Sequence, residues 1–383
     1  MQIITTTSAL ENLCSRLAGD SYVTVDTEFM REHTFWPILC LIQIAGADEE
    51  AIIDPMADGI DLAAFYSLMA NESVLKVFHA ARQDVEIFVA ATGVTPRPLF
   101  DTQVAAMVCG FGDQAGYEAL VRKLAGAEVD KSSRFTDWSR RPLSEKQLKY
   151  ALSDVTHLRV VYEKLRDQLE ENGRLPWLSE EMAVISSADT YISNPDDAWK
   201  RLKFRPRNAR QLGIAVSVSR WREERAQTKN MPRQRIIKDD AIAEIAQQMP
   251  KDKAALSKLR ALPRGLADGG LGDEILAAVR RGLDMAPEAL PELDPHRGPQ
   301  PEGASAIAEI LKLGLKVVAE RESIAPRLIA NASDIEEMAG NGGDHLAIMH
   351  GWRREIFGDI ALGLKNGELA IGIRNGRPDI FKA

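Results

Sequence analysis

Tyr22-Val23-Thr24-Val25-Asp26-Thr27-Glu28-Phe29 is the stretch on which the fold turns. Residues 22–25 read as a strand closed by the two acids. Strand side chains alternate, so Asp26 and Glu28 leave the same face about 7 Å apart. Surface strands carry such a pair by chance, and metal sites carry it by need; alone it does not decide between them. Around this strand lie others. Residues 2–5 are a strand candidate, followed by a helix opening at Ser8, whose spacing to Glu11 fits a capping box. Residues 38–45 are apolar on both faces, as a buried central strand would be, and 51–54 and 74–78 are shorter strand candidates. From Ala81 the period becomes helical, over 81–91, 102–109 and 117–124, with a long helix starting at Ser144 and a second capping box to Gln147. Residues 1–192 are thus expected to form an α/β domain with a mixed sheet covered by helices.

The strands then give out. Residues 208–285 read as short helices broken at Met231-Pro232, Met249-Pro250 and Leu262-Pro263. Residues 286–302 carry prolines at 287, 291, 295, 299 and 301 and read as a stiff linker. Over 303–383 the middle module recurs in diverged form. Pro232-Arg233 with Ile236-Ile237 resembles Pro326-Arg327 with Leu328-Ile329, and Leu271-Gly272-Asp273 resembles Phe357-Gly358-Asp359.

The composition of the 383 residues, 45% hydrophobic and 27% charged, excludes a disordered chain, and the length implies about two to three domains. No stretch approaches the ~18 apolar residues of a membrane span, and the first ten lack the pattern of a signal peptide, so a cytoplasmic protein is expected. Cys14, Cys40 and Cys109 are scattered among apolar neighbours and read as small core residues. The net charge of -8 conceals an asymmetry: residues 1–198 sum to -14, 199–282 to +11 and 283–383 to -5. An acidic front beside a basic middle suits one module that holds cations and another that grips a polyanion. Lys200, Arg201, Lys203, Arg205, Arg207 and Arg210 form the densest basic run, either a nucleic-acid contact or a solvated connector. A chain cut near residue 198 is expected to leave a folded front domain.

Two more acids stand out. Tyr150 and Asp154 sit at i and i+4 in the long helix and share a face. Asp84 falls in the first turn of the 81–91 helix, where the helix dipole alone favours a carboxylate. Each, taken singly, has a structural explanation.

Together, Asp26, Glu28, Asp84 and Asp154 with Tyr150 one turn before the last acid resemble, in order, the acid set of the DEDD superfamily of 3′-5′ exonucleases in its tyrosine-bearing branch. The flanking words are similar to those of bacterial ribonuclease D: Val25-Asp26-Thr27-Glu28-Phe29, Phe78-His79-Ala80 leading to Asp84-x-Glu86, Phe100-Asp101-Thr102, and Thr136-Asp137-Trp138 through Ser144 to Tyr150 and Asp154. The later modules resemble that family's paired HRDC domains. The resemblance implies a ribonuclease H-like (DnaQ-like) α/β exonuclease domain, two all-α HRDC-type domains, and a monomer that trims tRNA precursors and other structured RNAs from single-stranded 3′ ends, releasing 5′-mononucleotides. It implies two divalent cations, with Asp26 bridging both, Glu28 and Asp154 on the ion that activates water, and Asp84 acting through solvent or the second ion. Four oxygen donors without His or Cys suit Mg²⁺ or Mn²⁺. Tyr150 would orient the attacking water. Thr27, Phe29 and His79 are candidate substrate contacts; for Phe29 this needs a local bend in the strand, the alternative being a core role, and His79 could equally be a core histidine.

Overall fold

The computed structural model describes residues 2–130, 133, 136–292 and 300–383. A buried apolar run, β3 (Ile38–Ala45), lies inside a six-stranded sheet, flanked by β2 (Tyr22–Met30) and β4 (Glu50–Ile53), both antiparallel to it. β1 (Gln2–Ile4) runs parallel to β4 at one edge, and β5 (Leu75–Phe78) and β6 (Leu99–Asp101) extend the other side in parallel with β2, completing a mixed sheet. β2 runs on past Val25 to Met30 because β3 pairs with it throughout, Asp26 opposite Gln43 and Glu28 opposite Leu41. The acids therefore stand inside the strand and not at its end.

Helices α1 (Thr7–Leu17), α2 (Ala63–Ala70), α3 (Arg82–Thr92), α4 (Thr102–Val108), α5 (Tyr117–Leu120), α6 (Glu145–Glu171) and α7 (Leu175–Ile185) cover the sheet. The expected cap of α1 at Ser8 is displaced. Thr6 has the extended backbone of a cap and accepts from Ala9 N, while Ser8 falls within the first turn. The Ser144–Gln147 capping box of α6 is present as expected.

The middle module, α8 (Ala209–Thr228), α9 (Arg233–Ile236), α10 (Asp239–Gln248), α11 (Lys253–Leu256) and α12 (Gly270–Leu283), has its own core of Ile214, Val218, Trp221, Ile242, Ile245 and Ile275. α8 and α12 cross where Gly213 meets Gly282. A Cβ on Gly213 would lie 2.2 Å from the Gly282 carbonyl oxygen, so the crossing depends on glycine.

The third module repeats the start of this order in α13 (Ala304–Glu322), α14 (Pro326–Ile329) and α15 (Ala332–Ala339), then adds α16 (Gly351–Arg353) and α17 (Asp359–Lys365). It is not all helical. β7 (Leu369–Arg374) and β8 (Arg377–Lys382) form an antiparallel hairpin turned by Asn375 and Gly376, both at positive φ (51° and 74°), and Ile371 faces Ile380 across it. An Asn-Gly pair between alternating apolar residues supplies the left-handed backbone that a tight hairpin requires. Of the proline-rich segment, residues 293–299, including Pro295 and Pro299, lie outside the described residues.

Both later modules are docked on the first. Leu311, Val318, Ile329, Trp352 and Phe357 of the third module share one apolar cluster with Met107, Leu165, Leu178 and Met182. Across this seam Ala325 N donates to the Met107 carbonyl (3.0 Å), Trp177 stacks on Trp352 at 4.9 Å, and Arg353 pairs with Glu181. The middle module takes Phe35, from the loop after β2, into its own core; Asn230 Oδ1 accepts from Phe35 N and Trp36 N at 3.0 and 2.9 Å, and the Arg233 guanidinium lies 4.4 Å over the Phe35 ring. A cut near residue 198 would strip apolar cover from α4 and α7 and leave Phe35 without its pocket.

Candidate active site

β2 delivers Asp26 and Glu28 to one face of the sheet, and α6 crosses that face over β2, β3 and β4. Asp154, on α6, is buried against them. Carboxylate oxygens of Asp26, Glu28 and Asp154 lie within 4.8 Å of one another. Asp84 approaches from the first turn of α3 and is also buried; the Thr27 hydroxyl donates to its Oδ1. Tyr150 stands one turn before Asp154 with its phenol hydrogen-bonded to that carboxylate. The four acids and the tyrosine named from the sequence are thus assembled at one place, Asp84 adjoining the other three through Asp26.

This gathering is electrostatically unfavourable by itself. Burial, and then the charge of Asp154, hold the Asp26 carboxyl well above the ordinary carboxylate range. Asp84 is raised likewise, by burial and then by Asp26. Tyr150 is pushed up by burial and then by Asp154, Glu28 and Asp26, so its phenol keeps its proton. Three close carboxylates with no histidine or cysteine among them are a donor set for a hard divalent cation, which would remove the repulsion. The residues fit the metal that the DEDD arrangement calls for.

Several residues to which the sequence reading gave no role hold the acids in place. Thr24, two positions before Asp26 on the same strand face, donates to the Val155 carbonyl (2.9 Å), and Tyr117 donates to the Asp154 carbonyl (2.7 Å). Both anchor the turn of α6 that carries Asp154. Thr24 was findable from strand alternation; Tyr117 has no local signal. The buried Asp101 accepts from Ala80 N, Ala81 N and Gln103 N at 3.0, 2.8 and 2.8 Å, which fixes the left-handed Ala80 (φ 58°) at the start of α3. Arg31 forks onto Glu86 at 2.5 and 2.6 Å, tying the end of β2 to α3. Arg141 forks onto both Asp54 oxygens (2.6 Å each) and reaches the Cys40 carbonyl (2.7 Å), holding the segment behind Trp138, whose ring lies 6.1 Å from that of Tyr150.

The other sequence candidates divide. A β-bulge separates Glu28 from Phe29, whose half-buried ring packs at the edge of the core. His79 Nδ1 bonds Thr102 Oγ1 at 3.0 Å, its ring 5.4 Å from Tyr117, and burial lowers it to about 4, so it is neutral. Lys200 pairs with Asp197 (2.6 Å), and Arg201 shares the buried Glu223 with Arg233. Lys203, Arg205 and Arg207 alternate as exposed residues with Leu202, Phe204 and Pro206, and Arg210 is exposed on the first turn of α8. None of these four side chains has an ion pair among the described residues.

Residues 1–170 match the 3′-5′ exonuclease family and residues 205–279 match the HRDC domain. A ribonuclease D from Nitrobacter hamburgensis is 48% identical over 377 residues, covering 98% of each chain. The chain belongs to the ribonuclease D family. A second ribonuclease D, from a Jannaschia species, is 49% identical over 370 residues, covering 96% of this chain and 95% of its own. The crystal structure of Escherichia coli RNase D, described as an exoribonuclease involved in structured RNA processing, aligns with a TM-score of 0.83 at 28% identity, covering 95% of this chain and 98% of that one. The catalytic core of RRP6 from Trypanosoma brucei shares the fold, with a TM-score of 0.54 at 21% identity over 74% of this chain and 79% of its own. As a ribonuclease D, the chain is a hydrolase of the metal-dependent DEDD exonucleases.

The repulsion has a measurable consequence. A carboxyl whose pKa is raised on folding binds its proton more tightly folded than unfolded, so stability falls as pH climbs out of the ordinary carboxylate range. In EDTA at pH 7, Asp26→Asn should therefore melt above the native chain, and the margin should shrink as pH falls toward about 4. Identical melting curves across that range would contradict the electrostatic account.

Proposed function

We propose that this chain removes nucleotides one at a time from the 3′ ends of structured RNAs, tRNA precursors among them, and releases 5′-mononucleotides. The observation that carries the reading is the convergence of Asp26, Glu28 and Asp154 within 4.8 Å, with Asp84 beside Asp26, in a ribonuclease D chain. When bound, a pair of Mg²⁺ or Mn²⁺ ions supplies Lewis-acid activation of water and neutralises charge on the entering and leaving oxygens of the phosphodiester. Asp26, Glu28, Asp84 and Asp154 are the residues we assign to hold them, Asp26 centrally because it adjoins both Asp154 and Asp84. Tyr150, hydrogen-bonded to the Asp154 carboxylate, acts by orienting the attacking water. Thr27 serves Asp84, His79 is tied to Thr102, and Phe29, beside the bulge, is the aromatic we assign to meet a terminal base.

The modules take residues 1–192, 208–285 and 303–383 in this reading, with 286–302 as the linker and the third derived from the second by duplication. The middle one grips the body of the RNA by phosphate contacts, which carry affinity and little sequence information. Lys203, Arg205, Arg207 and Arg210 are its contacts, whereas Lys200 and Arg201 are committed to acids of the protein itself. The enzyme is read as a cytoplasmic monomer; among the described residues no helix is long and apolar enough to cross a membrane.

Two experiments test this. Incubated with a 3′-tailed RNA hairpin and Mg²⁺, the full chain should release 5′-mononucleotides from the tail, more slowly from a matched DNA, and Tyr150→Phe should slow the chemical step by roughly 10²–10⁴-fold with little change in metal requirement. Internal cuts, or equal turnover without a divalent ion, would refute the reading. In the second, changing Lys203, Arg205, Arg207 and Arg210 to Glu should weaken RNA binding and flatten its salt dependence. Each lost phosphate contact removes roughly 0.7–0.9 from the slope of log K against log salt. Unchanged affinity and slope would move the RNA path off this strip.

A further inference from the structure

Among the described residues, the clearest unexplained polar group is the side chain of Gln43. It is fully buried, and neither Oε1 nor Nε2 has a hydrogen-bond partner among the described residues. The other such buried groups, on Trp138, Ser219, Arg222 and Trp352, each leave one atom unmatched; Gln43 leaves its whole amide. An amide cut off from water without partners is disfavoured by desolvation, and an apolar residue of the same size would avoid it.

The location suggests the use. Gln43 is the residue directly opposite Asp26 in the antiparallel β2–β3 ladder, so both leave the same face of the sheet, beneath α6. Directly opposed residues have Cβ atoms about 4.5–5.5 Å apart, a gap that a glutamine side chain spans. On its other side Gln43 is paired with Ile52, which offers no acceptor in its side chain. An ionised carboxylate can only accept and an amide nitrogen can donate, so the two side chains are matched in chemistry as well as in register.

We propose that Gln43 is a positioning residue for the metal site, its Nε2 donating to the Asp26 carboxylate when that group is ionised and holding a cation. The proposal rests on the metal-site reading above. Outer hydrogen-bond partners fix the direction of a ligating carboxylate, and their loss typically weakens metal binding about 10- to 100-fold.

The test is calorimetric titration of the full chain with Mn²⁺ alone, beside thermal melting in EDTA. Gln43→Leu and the near-isosteric Gln43→Met should melt at or above the native temperature, because a buried unpartnered amide has been removed, yet bind Mn²⁺ about 10-fold or more weakly. A merely structural role would lower the melting temperature and leave the affinity of the folded protein unchanged. Asp26→Asn separates the two claims. If it loses Mn²⁺ binding while both Gln43 variants keep native affinity, the site stands and the role of Gln43 falls. If Asp26→Asn itself binds Mn²⁺ normally, the metal-site reading falls.

Discussion

Mutual repulsion among buried carboxylates is the constraint on which the rest of this structure depends. Asp26 and Asp84 are each raised by burial and by an acidic neighbour, so the site as a bare protein feature opposes folding. A cation of high charge density would reverse the sign of that interaction if it were held by Asp26, Glu28 and Asp154, whose carboxylate oxygens lie within 4.8 Å of one another. The features that would be defects in a metal-free domain, acids inside a strand and on the buried side of a helix, become intelligible together.

Holding repelling groups at fixed separations requires a stiff frame, and the surrounding polar contacts supply one. Thr24 and Tyr117 hold the carbonyls of the α6 turn that bears Asp154, Asp101 fixes the entry to α3 and thereby Asp84, and Arg31 links the end of β2 to that helix. The frame extends beyond the first module. The loop that follows β2 is clasped by Asn230 and Arg233 of the middle module, while the third module closes the apolar faces of α4 and α7. The module proposed to hold RNA and the module that carries the acids are therefore packed against each other.

The acid constellation was legible in the sequence because Asp26 and Glu28 lie two positions apart on a strand, Tyr150 and Asp154 lie four apart on a helix, and the order of all five residues resembles a known acid set. The mixed sheet followed from the strand and helix periods. Contacts without a local period were not legible. Nothing near Tyr117 announces that its hydroxyl ends on α6, and nothing near Phe35 announces that it belongs to the core of another module. The proline-rich segment read as a stiff linker, whereas the docking of the third module is decided by apolar faces far apart in the chain. The hairpin at Asn375-Gly376 is a different kind of miss, since its turn signal was present and was passed over in favour of a repeat that held only for the helices. Arg201 shows the limit of counting charge: it lies in the densest basic run, yet it is paired with a buried glutamate.

The account stands or falls on whether a cation occupies the carboxylate cluster. Anomalous diffraction from crystals of the chain soaked in Mn²⁺ measures this directly. The expected result is a strong anomalous peak within coordinating distance, about 2–2.5 Å, of oxygens from Asp26 and at least one of Glu28 and Asp154. A soaked crystal with no anomalous density among these carboxylates, while the protein in it retains nuclease activity, would contradict it.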